Sequence, residues 1–165
     1  MLLVFIIFTV CVISDFLTKM LAYHVFRLEE VSVIKHVLYF TYLENRGAAF
    51  GILQNHRWVF IAITIVAMLV IFGYIIWKKP KDRMLLVSLA LILGGGIGNL
   101  IDRIRLSYVI DFIDFRLIHF PVFNIADICV VCGCILLCID ILFFDRKNGE
   151  TEHGNNHSGK DNETR

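Results

Sequence analysis

Long apolar runs and short polar breaks alternate along this chain. Four runs stand out, over residues 2–26, 58–77, 84–101 and 123–144. Trp58 to Trp77 is 20 residues without a charge, and Met84 to Ile101 is another 18. An 18-residue helix is about 27 Å long, which matches the hydrocarbon thickness of a bilayer. The first run carries two charges, Asp15 and Lys19, spaced i, i+4 so that they share a helical face and partly neutralise one another. No Lys or Arg leads into it and no small-residue cleavage pattern closes it, so it reads as a membrane helix rather than a secretory signal. Four membrane helices are predicted.

Between the first two runs the pattern changes. Val31, Val33 and the stretch Val37 to Tyr42 are rich in β-branched and aromatic residues, which predicts short strands. The segment Asn45 to Gly51 follows as a loop in which Asn and Gly permit tight backbone.

Composition supports the membrane class: 58% of the 165 residues are hydrophobic and 19% charged, an oilier balance than soluble domains show. A net charge of +1 with no basic stripe argues against a nucleic-acid partner. Cys129, Cys132, Cys134 and Cys138 lie in the fourth run among Val, Ile and Leu with no His beside them. They read as small hydrophobes rather than zinc or redox ligands, and no metal or other cofactor is expected. Gly94, Gly95, Gly96 and Gly98 lack the context of a nucleotide loop and instead predict close helix packing. Residues 1–145 form the membrane domain, and the polar tail 146–165 is expected to be disordered.

The Lys78–Arg83 loop holds four cations in six residues, which marks it as cytoplasmic. Both termini are then cytoplasmic, while residues 28–56 and 103–122 face outward. Asn99, Asp102 and Arg103 fall at the outer end of the third helix, Asp127 at the outer start of the fourth, and Asp15 in the outer half of the first. Polar groups that lipid excludes therefore gather at one membrane face.

Paired carboxylates suit such a place. Two held close cannot both ionise cheaply, so one keeps a proton while the other acts as a base. Together they can activate water and protonate a peptide carbonyl or leaving amine without a metal. Asp111 and Asp127 flank a segment able to fold back, and on spacing alone Asp102 and Asp114 are rivals.

Five motifs carry a resemblance: Asp15–Lys19, Asn45–Gly51, Gly94–Arg103, Val109–Phe112 and Phe123–Asp127. Together and in this order they resemble the lipoprotein signal peptidases (signal peptidase II), membrane aspartyl peptidases of bacteria. Phe16 departs from the Gln usual in that family. The resemblance implies a four-helix membrane fold with a small extracytoplasmic β-cradle between helices 1 and 2. It implies cleavage of diacylglyceryl-modified prolipoproteins just before the lipidated cysteine, at the outer face of the cytoplasmic membrane, and inhibition by the cyclic peptide globomycin. Among the four aspartates it selects Asp111 and Asp127 as the dyad. Asp15, Asn45, Gly47, Asn99, Arg103 and Asn124 correspond to residues that surround substrate or hold the dyad.

Simpler roles stand beside these. Asp102 with Arg103 can end the third helix at the lipid headgroups, and Arg103 can also bind a lipid phosphate. Asn124 can cap the fourth helix, with Asp127 adding a favourable first-turn charge. An ion-coupled transporter would also carry intramembrane acids, but near the midplane and in repeated halves, and no repeat is evident. A non-catalytic anchor explains the small-residue packing and not the gathered acids.

Overall fold

The computed structural model describes residues 2–47, 54 and 56–143. Residues 48–51 of the predicted Asn45–Gly51 loop, and the tail 146–165, lie outside the described residues. The four predicted spans are helices: α1 (Leu2–Leu21, prolonged by a wider turn over Ala22–Phe26), α2 (Arg57–Lys78), α3 (Arg83–Arg105) and α4 (Ile125–Phe143). All four are long and apolar enough to cross a membrane.

The chain's least helix-prone span sits at the centre. α3 buries Leu86, Ser88, Leu89, Ala90, Leu93, Gly94, Gly95, Gly98, Leu100 and Asp102, whereas α2 buries only Ile61 and Ile75. Glycine weakens a helix in water, but between membrane helices its missing side chain admits the neighbouring backbone. A Cβ on Gly94 would stand 2.6 Å from Cys11 Cβ, one on Gly95 would collide with the Ala126 carbonyl, and one on Gly98 would stand 2.5 Å from Asp15 Oδ2. The glycine run is therefore the seam where α1 and α4 close on α3, as its composition predicts.

The predicted strands form as β1 (Val31–Ile34) and β2 (Leu38–Asn45). A third strand, β3 (Val109–Phe115), completes an antiparallel sheet in the order β1-β2-β3. The sheet is therefore larger than the strand-forming residues between helices 1 and 2 predict, since β3 comes from between α3 and α4. Ala22, Ile110 and Phe112, with Phe26 and Phe40 against them, pack the end of α1 onto this sheet. Phe26 stacks on Phe40 with ring centroids 5.2 Å apart. At the other end of the bundle Ile75, Leu89 and Leu93 form a second core cluster.

Candidate active site

β3 brings the sequence-predicted residues together. It runs back towards α4 because Phe112 and Ile113 N–H groups donate to the Phe123 carbonyl, at 3.0 and 2.8 Å, and Phe123 N–H donates to the Ile113 carbonyl at 3.1 Å. That closure sets Asn124 beside Asp111. On the other edge, β2 pairs with β3 in a register that puts Asn45 opposite Val109. Residues two apart on a strand share a face, so Asn45 lies diagonal to Asp111 and reaches it.

Three asparagines are each turned by a second partner so that an amide N–H faces a carboxylate. Asn45 Oδ1 accepts from Gly47 N–H at 3.0 Å, so Asn45 Nδ2 donates to Asp111 Oδ2 at 2.8 Å. Asn124 Oδ1 accepts from Asp127 N–H at 2.9 Å, so Asn124 Nδ2 donates to Asp111 Oδ1 at 2.6 Å and to Asn99 Oδ1 at 3.1 Å. Asn99 Oδ1 also accepts from Lys19 Nζ at 3.0 Å, which leaves Asn99 Nδ2 to donate to Asp127 Oδ1 at 2.7 Å. The Asn124 backbone N–H completes the set by donating to Asp127 Oδ2 at 3.2 Å. Asn124 and Asp127 thus form a reciprocal capping box at the start of α4. Helix capping and placement of the two aspartates are done by the same atoms.

Behind this layer lies a buried ionic group. Lys19 Nζ is 2.8 Å from Asp15 Oδ2 and 3.0 Å from Asp102 Oδ2, and all three residues are buried. The simple headgroup role for Asp102 is thereby corrected. Its carboxylate points inward, paired with Lys19, and accepts from the Ile110 N–H at 3.2 Å. Asp15 Oδ1 accepts from the Ala126 N–H at 2.9 Å. Each of these carboxylates therefore grips the backbone one residue before a member of the Asp111–Asp127 pair. The i, i+4 spacing pairs Asp15 with Lys19 in the sequence, but nothing in that spacing marks Lys19 as a site residue. The third partner, 83 positions along the chain from Lys19, carries no local signal.

Asp114 goes elsewhere. It accepts from Arg116 Nε at 2.6 Å, and Arg116 reaches Glu30 at the exposed edge of the sheet, which holds the Glu30 carboxyl below its usual range.

Asp111 and Asp127 open onto a cleft of about 630 Å³, which Asn45, Gly47, Asn99 and Arg103 also line. Asp15 and Asn124 stand behind the lining. Phe60 and Thr64 of α2 and Ile128, Val131 and Cys132 of α4 supply an apolar wall that continues into the spanning region. Arg103 lies over the Phe60 ring, 4.9 Å from its centroid, and forms no ion pair among the described residues. Asp111 is 1% exposed. Burial, and then the neighbouring Asp127 charge, push its carboxyl up to about 7 against the opposing pull of the Asn45 and Asn124 hydrogen bonds. No group of three or more His, Cys, Asp or Glu suited to a metal occurs among the described residues.

Comparison with known proteins bears on the chain as a whole. The profile of the signal peptidase (SPase) II family matches residues 7–143. A lipoprotein signal peptidase of Clostridium tetani is 46% identical over 150 residues, spanning 86% of this chain and 96% of that protein. One from Caldanaerobacter subterraneus is 49% identical over 134 residues, spanning 80% and 90% respectively. A solved bacterial membrane enzyme superposes with a TM-score of 0.80 at 34% identity, covering 88% of this chain and 90% of its own. With matches of this extent running through all four helices and the sheet, the chain belongs to the signal peptidase II family of membrane peptidases.

Proposed function

We propose that Asp111 and Asp127 are the catalytic dyad of an aspartic endopeptidase that removes signal peptides from diacylglyceryl-modified prolipoproteins, cutting just before the lipidated cysteine. The observation that carries this reading is the Asn124 side chain. It binds Asp111 through its nitrogen and the Asp127 backbone through its oxygen, holding both acids at one cleft. In the proposed reaction Asp111, the more buried acid, holds the shared proton and Asp127 is the base. Asp127 takes a proton from water as the oxygen attacks the scissile carbonyl, while Asp111 gives its proton to the carbonyl oxygen. Collapse of the tetrahedral diol returns that proton to Asp111, and Asp127 passes its own to the leaving amine.

Asn45, Asn99 and Asn124 hold the acids, and Asp15 holds the start of α4. Arg103, with Gly47 across the cleft, meets substrate carbonyls. The apolar α2 and α4 wall receives the substrate's hydrocarbon. The Lys78–Arg83 loop sets both termini in the cytoplasm of a bacterial cell and the cleft at the outer face of the cytoplasmic membrane, among phospholipids. Globomycin-type peptides occupy the same cleft.

The test uses purified protein and one precursor in two forms, with and without the diacylglyceryl group. We expect mass spectrometry to find the lipidated form cut on the N-terminal side of its modified cysteine and the unmodified form intact. Cleavage at another peptide bond, or none, overturns the reading.

The pH profile adds a second check. A carboxyl raised when folded keeps its proton between the ordinary value and about 7, and loses it as pH rises through 7. The acid form needed for catalysis is then depleted, so kcat/KM should fall about tenfold per unit above that point. The midpoint belongs to the pair rather than to either residue. A rate that stays flat to pH 9 contradicts a proton held on Asp111.

A further inference from the structure

A second cavity, of about 590 Å³, lies between α1 and α2, on a face of α2 next to the one that walls the cleft. Its lining is wholly apolar: Phe5 and Phe8 from α1, Met68, Leu69 and Phe72 from α2, and Leu93 from α3 are among the contributors. α1 and α2 both lean on α3 and leave this groove between them. The groove follows α2 from Ile65 to Ile75. Ten residues of helix span about 15 Å. An extended hydrocarbon chain matches the length and the wholly apolar lining of this groove.

One end of the groove is marked by charge. Ile75 lies one turn before the end of α2, and its carbonyl accepts from Lys79 N–H at 3.1 Å. Lys78, Lys79, Lys81 and Arg83 crowd this end, exposed and in no ion pair among the described residues. Lys78 lies 4.7 Å from the Trp77 ring centroid, at the level where amphipathic rings meet lipid headgroups. A molecule with a hydrocarbon tail and an anionic head satisfies the slot and the cations together.

We propose that the α1–α2 groove is a binding site for one acyl chain of an anionic phospholipid, with its headgroup held by Lys78, Lys79, Lys81 and Arg83. The site is separate from the Asp111–Asp127 cleft and does not depend on how that cleft functions.

Native mass spectrometry tests this on the full chain released from nanodiscs of equal parts palmitoyl-oleoyl phosphatidylglycerol and phosphatidylcholine. We expect one retained phospholipid per chain, with phosphatidylglycerol favoured at least about fivefold. Lys78→Gln/Lys79→Gln/Lys81→Gln should keep a bound lipid and lose the preference. Leu69→Trp, which fills the slot from a position 66% exposed, should lose the lipid. Phe72→Trp fills the same slot from the next turn and replaces that variant if it does not fold. Wild-type protein without lipid overturns the proposal, as does equal retention by a folded groove-filling variant or a dimer that covers the groove.

Discussion

Asp111→Asn and Asp127→Asn should each lower cleavage of a lipidated precursor by about 10⁴-fold, as loss of a general acid or base does when both act in one step. Asn keeps the shape of Asp and cannot take up or deliver the catalytic proton. The geometry also warns how to read the result. Both Asp111 oxygens accept amide N–H groups, so an Asn at 111 presents its own NH₂ to one of those donors. That mismatch costs about 1–3 kcal/mol of stability. Asp127 has the same difficulty, because one oxygen accepts from Asn99 Nδ2 and the other from Asn124 N–H. The rate must therefore be measured on detergent-purified protein whose thermal unfolding has been followed separately. A folded variant of either kind that cuts at the wild-type rate removes its aspartate from the proposed dyad.

The pattern of the sequence reaches a long way into this fold and stops at a definite physical boundary. The four helices are legible because a bilayer imposes a fixed apolar length, and the glycine seam because small residues in a membrane helix mean close approach. Asn124 and Asp127 are legible as a cap because capping is local. β3 escapes notice because Val109 to Phe115 contains two aspartates, and its apolar positions alternate imperfectly with them. Its strand character comes from pairing with β2, which is 66 residues away where Asn45 meets Asp111. Asp102 escapes for a related reason. At a helix end with Arg103 beside it, an acid looks like a headgroup contact, and only the packing of α1 on α3 reveals Lys19 as its partner. Among Asp102, Asp111, Asp114 and Asp127, spacing alone makes no choice. The structure separates them by what they bind: Lys19 and a backbone amide, two asparagine amides, Arg116, and an asparagine amide at a helix start.

Lys19→Met should be the most destabilising single change among the site residues, by about 3–5 kcal/mol, because it strands two buried carboxylates without a counter-charge. Lys19 is 3% exposed, so water cannot replace the ammonium. The consequences converge on the aspartate pair. Asp15 holds Ala126 N–H and Asp102 holds Ile110 N–H, so repulsion between the two stranded acids pulls on the backbone just before Asp127 and just before Asp111. Asn99 also loses one of the two donors that fix its amide, leaving Asn124 Nδ2 alone to orient its bond to Asp127. A shift of about 1 Å in such a site lowers the rate about 10²-fold. Neutralising all three, in Lys19→Met/Asp15→Asn/Asp102→Asn, should recover much of the lost thermal stability while activity stays low. That split separates a charge imbalance, which the triple variant relieves, from the positioning of the two aspartates, which it does not restore. Thermal unfolding and cleavage rates of the single and triple variants provide the measurement. A Lys19→Met protein that melts and cuts like wild type would show that the buried lysine supports neither the fold nor the pair.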